Sequence, residues 1–174
     1  MLRVKINTSR GLALTAIIAA MYAVVTIFAP IPQYQAVQVR FADALSILAF
    51  FFGPVGVAGM TLGCFVANVL SPYGVLDMVI GTLSTLVETI IVAYIGYKTP
   101  KEHFKRNLVS AQIIGSVIVG AFIAYLLNFY GIPLEFGFVT VTIGELISKI
   151  AIGVPLAYGL RRTLPSLFTV GGER

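Results

Sequence analysis

Residues Phe41 to Phe52 read FADALSILAFFF, an apolar run of twelve residues that stops at Gly53 and Pro54, a turn signal. A helix that crosses hydrocarbon needs ~20 mostly apolar residues. The run is therefore too short to span untilted unless its helix starts earlier, near Gln38. Whether it counts as a crossing decides the fold.

The runs on either side frame the question. Leu12 to Ala29, Val55 to Leu70, Val75 to Tyr97, Leu108 to Phe129 and Thr140 to Leu160 are all long and apolar. Between them lie three basic groups: Arg3, Lys5 and Arg10; then Lys98, Lys101, Lys105 and Arg106; then Arg161 and Arg162. Loops rich in Lys and Arg stay on the cytoplasmic side. All three groups share that side only if Phe41 to Phe52 is a crossing; without it the second group would lie opposite the first. The expected fold is all-α, a polytopic membrane protein with six transmembrane helices and both termini cytoplasmic. The helices are expected at about 11–30, 38–52, 55–70, 75–97, 108–129 and 139–161, in one membrane domain over 1–174, multi-pass in the lipid bilayer of the cell membrane.

Composition agrees with that class. The chain is 58% hydrophobic and 11% charged, with a mean hydropathy of +0.96, against the ~45–50% apolar content of soluble domains. The net charge of +5 lies in short clusters between apolar runs, which argues against nucleic acid as a partner. Cys64, the single cysteine, excludes an intrachain disulfide and a thiolate metal cluster. His103, equally alone, reads as a solvated loop residue. The basic start before Gly11 resembles a signal peptide, but the apolar run continues to Pro30, beyond the ~7–15 residues of a signal core. It reads as a retained helix.

Small residues mark helix contacts. Ala13, Ala16, Ala20 and Ala23 recur every three or four residues along the first run, forming one stripe. Such a stripe admits close approach of another helix, either from within the bundle or from a partner. Gly59, Gly63 and Ala67 repeat at four-residue spacing in the third run, for which internal packing is sufficient.

Ionisable residues inside a bilayer cost ~2.5–3.5 kcal/mol each even on insertion scales, so each is a candidate functional group. Glu145 and Lys149 are spaced and ordered for a helical ion pair, which leaves both a structural role and substrate contact open. Arg40 and Asp43 flank the entrance of the second helix. Asn68, Asp77 and Asn128 fall at the same, outer end. Glu88 lies mid-span in the fourth helix without an evident partner. A polar set at the outer half above a nearly uniform apolar inner half describes a pocket closed towards the cytoplasm. No phosphate-binding Gly-rich loop, metal-ligand cluster or nucleophile with a base stands out, so the chain is not expected to be an enzyme or to carry a cofactor. Energy for any transport must then come from elsewhere, with an ATPase partner as the natural source.

Three segments carry a family resemblance: VQVRFADALSILAFFF (Val37 to Phe52), GCFVANVLSPYGVLDMVI (Gly63 to Ile80) and IGELISKIAIGVP (Ile143 to Pro155). Together they resemble the QueT family, over nearly the whole chain from Met21 to Leu160. That family comprises substrate-binding S components of energy-coupling factor (ECF) transporters, assigned to precursors of the tRNA base queuosine. The resemblance implies the six-helix S-component bundle, an ECF coupling transmembrane subunit and two cytoplasmic ATPase subunits as partners, and the alanine stripe as the docking surface. It also implies an outer pocket covered by the loop Pro30 to Val39, which contains Gln33, Tyr34, Gln35 and Gln38. The family's acidic position near the start of the second helix is the shorter Asp43 here, beside Gln38 and Arg40.

A 7-deazaguanine such as preQ0, preQ1 or queuine presents adjacent N–H donors that one carboxylate can accept together. The resemblance points to Glu145 for that carboxylate, oriented by Lys149. Arg40 or Asn68 would donate to the ring carbonyl, Tyr34 or Phe41 would stack on the ring, and Asp77 would meet a cationic side arm. Competing expectations are an S component for a different vitamin or nucleobase, and a self-sufficient carrier in which Glu88 and Glu145 relay protons.

Overall fold

A computed structural model describes residues 6–29, 34, 35 and 37–163. Arg3, Lys5, Pro30 and Gln33, invoked above, lie outside the described residues. Among those described, the chain is helical with no strand.

Among the described residues, four helices are long and apolar enough to cross a membrane: α1 Ser9–Phe28, α4 Gly74–Lys98, α5 Phe104–Asn128 and α6 Leu134–Thr163. Two apolar helices are shorter, α2 Phe41–Phe52 and α3 Pro54–Asn68. Thr8 caps α1, its hydroxyl accepting from the Gly11 amide at 3.1 Å. α5 and α6 begin before the apolar runs suggest. Lys105 and Arg106 are exposed on the first turns of α5, where water satisfies them without breaking the helix, and the half-buried Asn107 donates to Thr99 Oγ1 at 3.2 Å. α6 opens at Leu134, directly after Pro133, which cannot continue a helix backwards but can precede one.

α2 explains its own composition. Its first half, Phe41–Ser46, is a tight 3-10 turn, and Ile47–Phe52 is α-helical. Every residue from Ala42 to Phe51 is buried, and α2 packs against α3, α4 and α6. A helix that is apolar on all sides is a core helix. Its length need not match the lipid, because protein surrounds it. Gly53, with φ of 58°, makes the reversal into α3, and Pro54 takes the first helical position.

Glycines set how closely the rods approach. A Cβ on Gly59 would lie 2.7 Å from the Ile18 side chain, and one on Gly63 would lie 2.6 Å from the Ala19 carbonyl. The repeat in α3 therefore receives α1 directly, and the two run parallel. Gly96 of α4 meets the Phe50 backbone, and Gly144 of α6 meets the Gln38 carbonyl, each with no space for a methyl group.

These contacts give the bundle two chemically distinct ends. Phe50, Phe51, Phe104 and Tyr158 cluster at one, and the Arg161 guanidinium lies 4.3 Å from the Phe104 ring centre. Arg10, Lys98, Lys105 and Arg106 share that basic end. The other end gathers Tyr34, Gln35, Val37 to Arg40, Asn68 to Tyr73 and Asn128 to Ile132, joined by Tyr34 Oη donating to Ala67 O at 2.9 Å and Tyr130 Oη to Tyr73 O at 2.8 Å.

A buried polar cavity and a buried ion-pair cluster

Arg40 is 2% exposed at the start of α2. Its backbone carbonyl accepts from Ser148 Oγ at 2.8 Å, which pins the entrance of α2 to α6. Its Nη2 donates to Asn68 Oδ1 at 3.3 Å, its guanidinium lies 5.3 Å from the Tyr34 ring centre, and its Nε has no hydrogen-bond partner. Asn68 is held in turn, its amide donating to Asp77 O at 3.1 Å. Ser71 Oγ donates to Asp77 Oδ2 at 2.5 Å. Burial pushes the Tyr34 phenol above its ordinary value, so it remains a neutral donor.

These groups surround a small cavity at the polar end. Tyr34, Gln35, Gln38, Arg40, Tyr73 and Asp77 form its polar wall, and Ile123, Leu126 and Leu127 of α5 form the apolar one. Its volume is about 10 Å³, the space of a single water. Any larger occupant must displace part of a wall.

A second polar group lies deeper. Lys149 Nζ is 2.7 Å from Glu88 Oε1 and 2.9 Å from Glu145 Oε2, with all three side chains at most 1% exposed. The contacts are close but off the axis of a good hydrogen bond, and Glu145 Oε1 has no partner. Gly115 of α5 leaves the room: a Cβ there would lie 2.8 Å from Glu88 Oε1. Lys149 lies on a π-helical turn, Ile147–Gly153, where α6 widens to pass Phe41–Ser46. Such turns recur at functional sites. Asp43 lies beside this cluster. It accepts from Tyr22 Oη at 2.5 Å and also faces the Glu145 carboxyl.

The structure thus brings Arg40, Tyr34, Gln38 and Asp77 together on one cavity, with Asn68 directly behind Arg40. It puts Glu145 and Lys149 elsewhere, in the ion-pair cluster with Glu88. Phe41 is half-buried and absent from the cavity wall. Asn128 is exposed and donates to Ile132 O at 3.3 Å, closing the turn after α5 instead of facing the cavity. The half of the bundle towards its basic end is not uniformly apolar. Ser46 Oγ donates to Gln112 Oε1 at 2.7 Å, and Ser116 Oγ to Gln112 O at 2.9 Å, all buried. Gln112 and Tyr22 gave no signal in the sequence because uncharged polar residues in a long apolar run do not reveal which side they face, and Tyr73 gave none because only the fold brings its turn against Tyr34. Of the alanine stripe, Ala13, Ala16 and Ala20 are exposed, while Ala23 is buried against the bundle.

No curated protein matches the chain. The model of the QueT transporter family matches residues 12–162, a range that runs from the first turn of α1 to the end of α6 and includes both polar groups. The chain belongs to the QueT transporter family.

Proposed function

We propose that the chain is the S component of an ECF importer and that its cavity receives a 7-deazaguanine precursor of queuosine. The observation that carries this reading is the cavity wall itself. A buried guanidinium with an unpartnered Nε and the buried Asp77 carboxylate face one small space. That pair suits a flat heterocycle with a carbonyl acceptor beside N–H donors. Asp77 takes the role of the accepting carboxylate, since it lies on the wall and Glu145 is engaged by Lys149. Arg40 donates to the ring carbonyl, Tyr34 and Tyr73 contact the ring faces, and Gln38 completes the edge. Because the cavity has room for no more than one water, a bicyclic base enters only when the wall carrying Tyr34 and Gln38 moves outwards.

The six-span arrangement with cytoplasmic termini belongs to the same proposal. Its support is the collection of basic residues at one end of the bundle and the burial of α2 within protein. With the basic end cytoplasmic, the cavity opens outwards. The exposed Ala13, Ala16 and Ala20 then offer a smooth face to the coupling subunit, which supplies the link to two ATPases.

The test is uptake. Reconstituted with the coupling subunit and ATPases, the chain is expected to import the deazapurine only with ATP. Replacing Ala16 and Ala20 with Trp is expected to abolish co-purification of the coupling subunit and reduce uptake at least tenfold, with ligand affinity retained. Uptake by the chain alone, driven by a pH gradient without ATP, would instead establish a proton-coupled carrier. Uptake of an unrelated vitamin would move the assignment to another nutrient.

A further inference from the structure

α3 and α4 leave an open groove on the side of the bundle at its basic end, with a volume of about 710 Å³. Gly53, Ala58 and Ala93 create it, since larger side chains at these positions would fill the space. Leu62 and Ile90, in its wall, are 52% and 51% exposed. In a chain whose neighbouring helices cross a bilayer, such a groove opens onto hydrocarbon.

Its length limits what fits. At 1.5 Å per residue, Gly53 to Leu62 rises ~14 Å and Leu86 to Tyr97 ~17 Å, about half of the ~30 Å hydrocarbon core. The groove therefore runs the depth of one leaflet, whereas a partner's transmembrane helix would run through both. At its mouth Tyr94 and Tyr97 are 62% and 56% exposed, the amphipathic rings typical of the headgroup level. Lys98 is exposed there, its Nζ 5.9 Å from the Tyr94 ring centre. Lys101, Lys105 and Arg106 follow in sequence, against one acid, Glu102.

We propose that this groove binds an anionic phospholipid of the leaflet at the basic end, an acyl chain between α3 and α4 and the headgroup phosphate on Lys98. The apolar wall supplies affinity for the chain, and the lysine supplies preference for negative charge.

Native mass spectrometry of the full chain in detergent tests this, with phosphatidylglycerol and phosphatidylcholine of identical acyl chains as probes. Phosphatidylglycerol is expected to bind at least fivefold more tightly. Lys98→Gln should remove about fivefold of that preference without changing phosphatidylcholine binding, while Arg162→Gln, on α6 and absent from the groove wall, should leave the ratio unchanged. Ala58→Phe should weaken both lipids by filling the groove. Equal affinity for the two lipids, or a preference unaltered by Lys98→Gln, overturns the proposal, as does a protein partner or second copy found in the groove. Lys98 is exposed, so its variant decides the question even where Ala58→Phe fails to fold.

Discussion

Lys149→Met is expected to destabilise the protein by about 3–5 kcal/mol, the cost of leaving buried charges without their partner. Lys149 Nζ lies within 2.9 Å of carboxylates on both α4 and α6. Removing it strands Glu88 and Glu145, each 1% exposed, for which Lys149 is the one ion-paired cation among the described residues. The expected readout is a large fall in the thermal unfolding midpoint in detergent, together with a lower yield of folded protein. Adding Glu88→Gln and Glu145→Gln to Lys149→Met should restore most of the loss, because an uncharged set of similar volume no longer needs the cation. A single Lys149→Met variant as stable as the parent would show that the two contacts do not form.

The second large effect concerns the cavity. Asp77→Asn and Arg40→Ala should each weaken deazapurine binding by about 2–5 kcal/mol, roughly thirtyfold to several-thousandfold. Arg40→Lys should not rescue the loss, since an ammonium cannot reproduce the fork of the guanidinium. Glu145→Gln should leave affinity within about threefold. Lys149 keeps its contact with Glu88 in that variant, and Glu145 is absent from the cavity wall. Calorimetry on the folded variants separates the two carboxylates. Loss of binding on Glu145→Gln with retention on Asp77→Asn would return the recognition role to Glu145.

The membrane class and helical character followed from the length of the apolar runs, which reflects the solvent and needs no tertiary information. The pairing of Glu145 with Lys149 was legible because it is local, one turn of helix. The partner of Glu88 was not, because it comes from a helix far along the chain and spacing carries no trace of it. For the same reason Glu145 drew attention as a ligand contact. An acid in an apolar run announces that it needs a partner and leaves open whether that partner is a ligand or a lysine. Arg40, Tyr34, Gln38 and Asp77 were each visible as polar residues near one end of their runs. Their convergence depends on Gly144, which lets the Gln38 backbone lie against α6, and on Ser148, which holds the Arg40 carbonyl. The π-helical turn at Ile147–Gly153 left no sequence mark, since it arises from α6 passing the 3-10 segment of α2.

Calorimetric titration of the purified chain with 7-deazaguanine precursors of queuosine, with guanine and an unrelated vitamin as controls, is the most direct measurement. Saturable one-to-one binding confined to the deazapurines is the expected result. Folded protein that binds none of them, or that binds the vitamin instead, would contradict it.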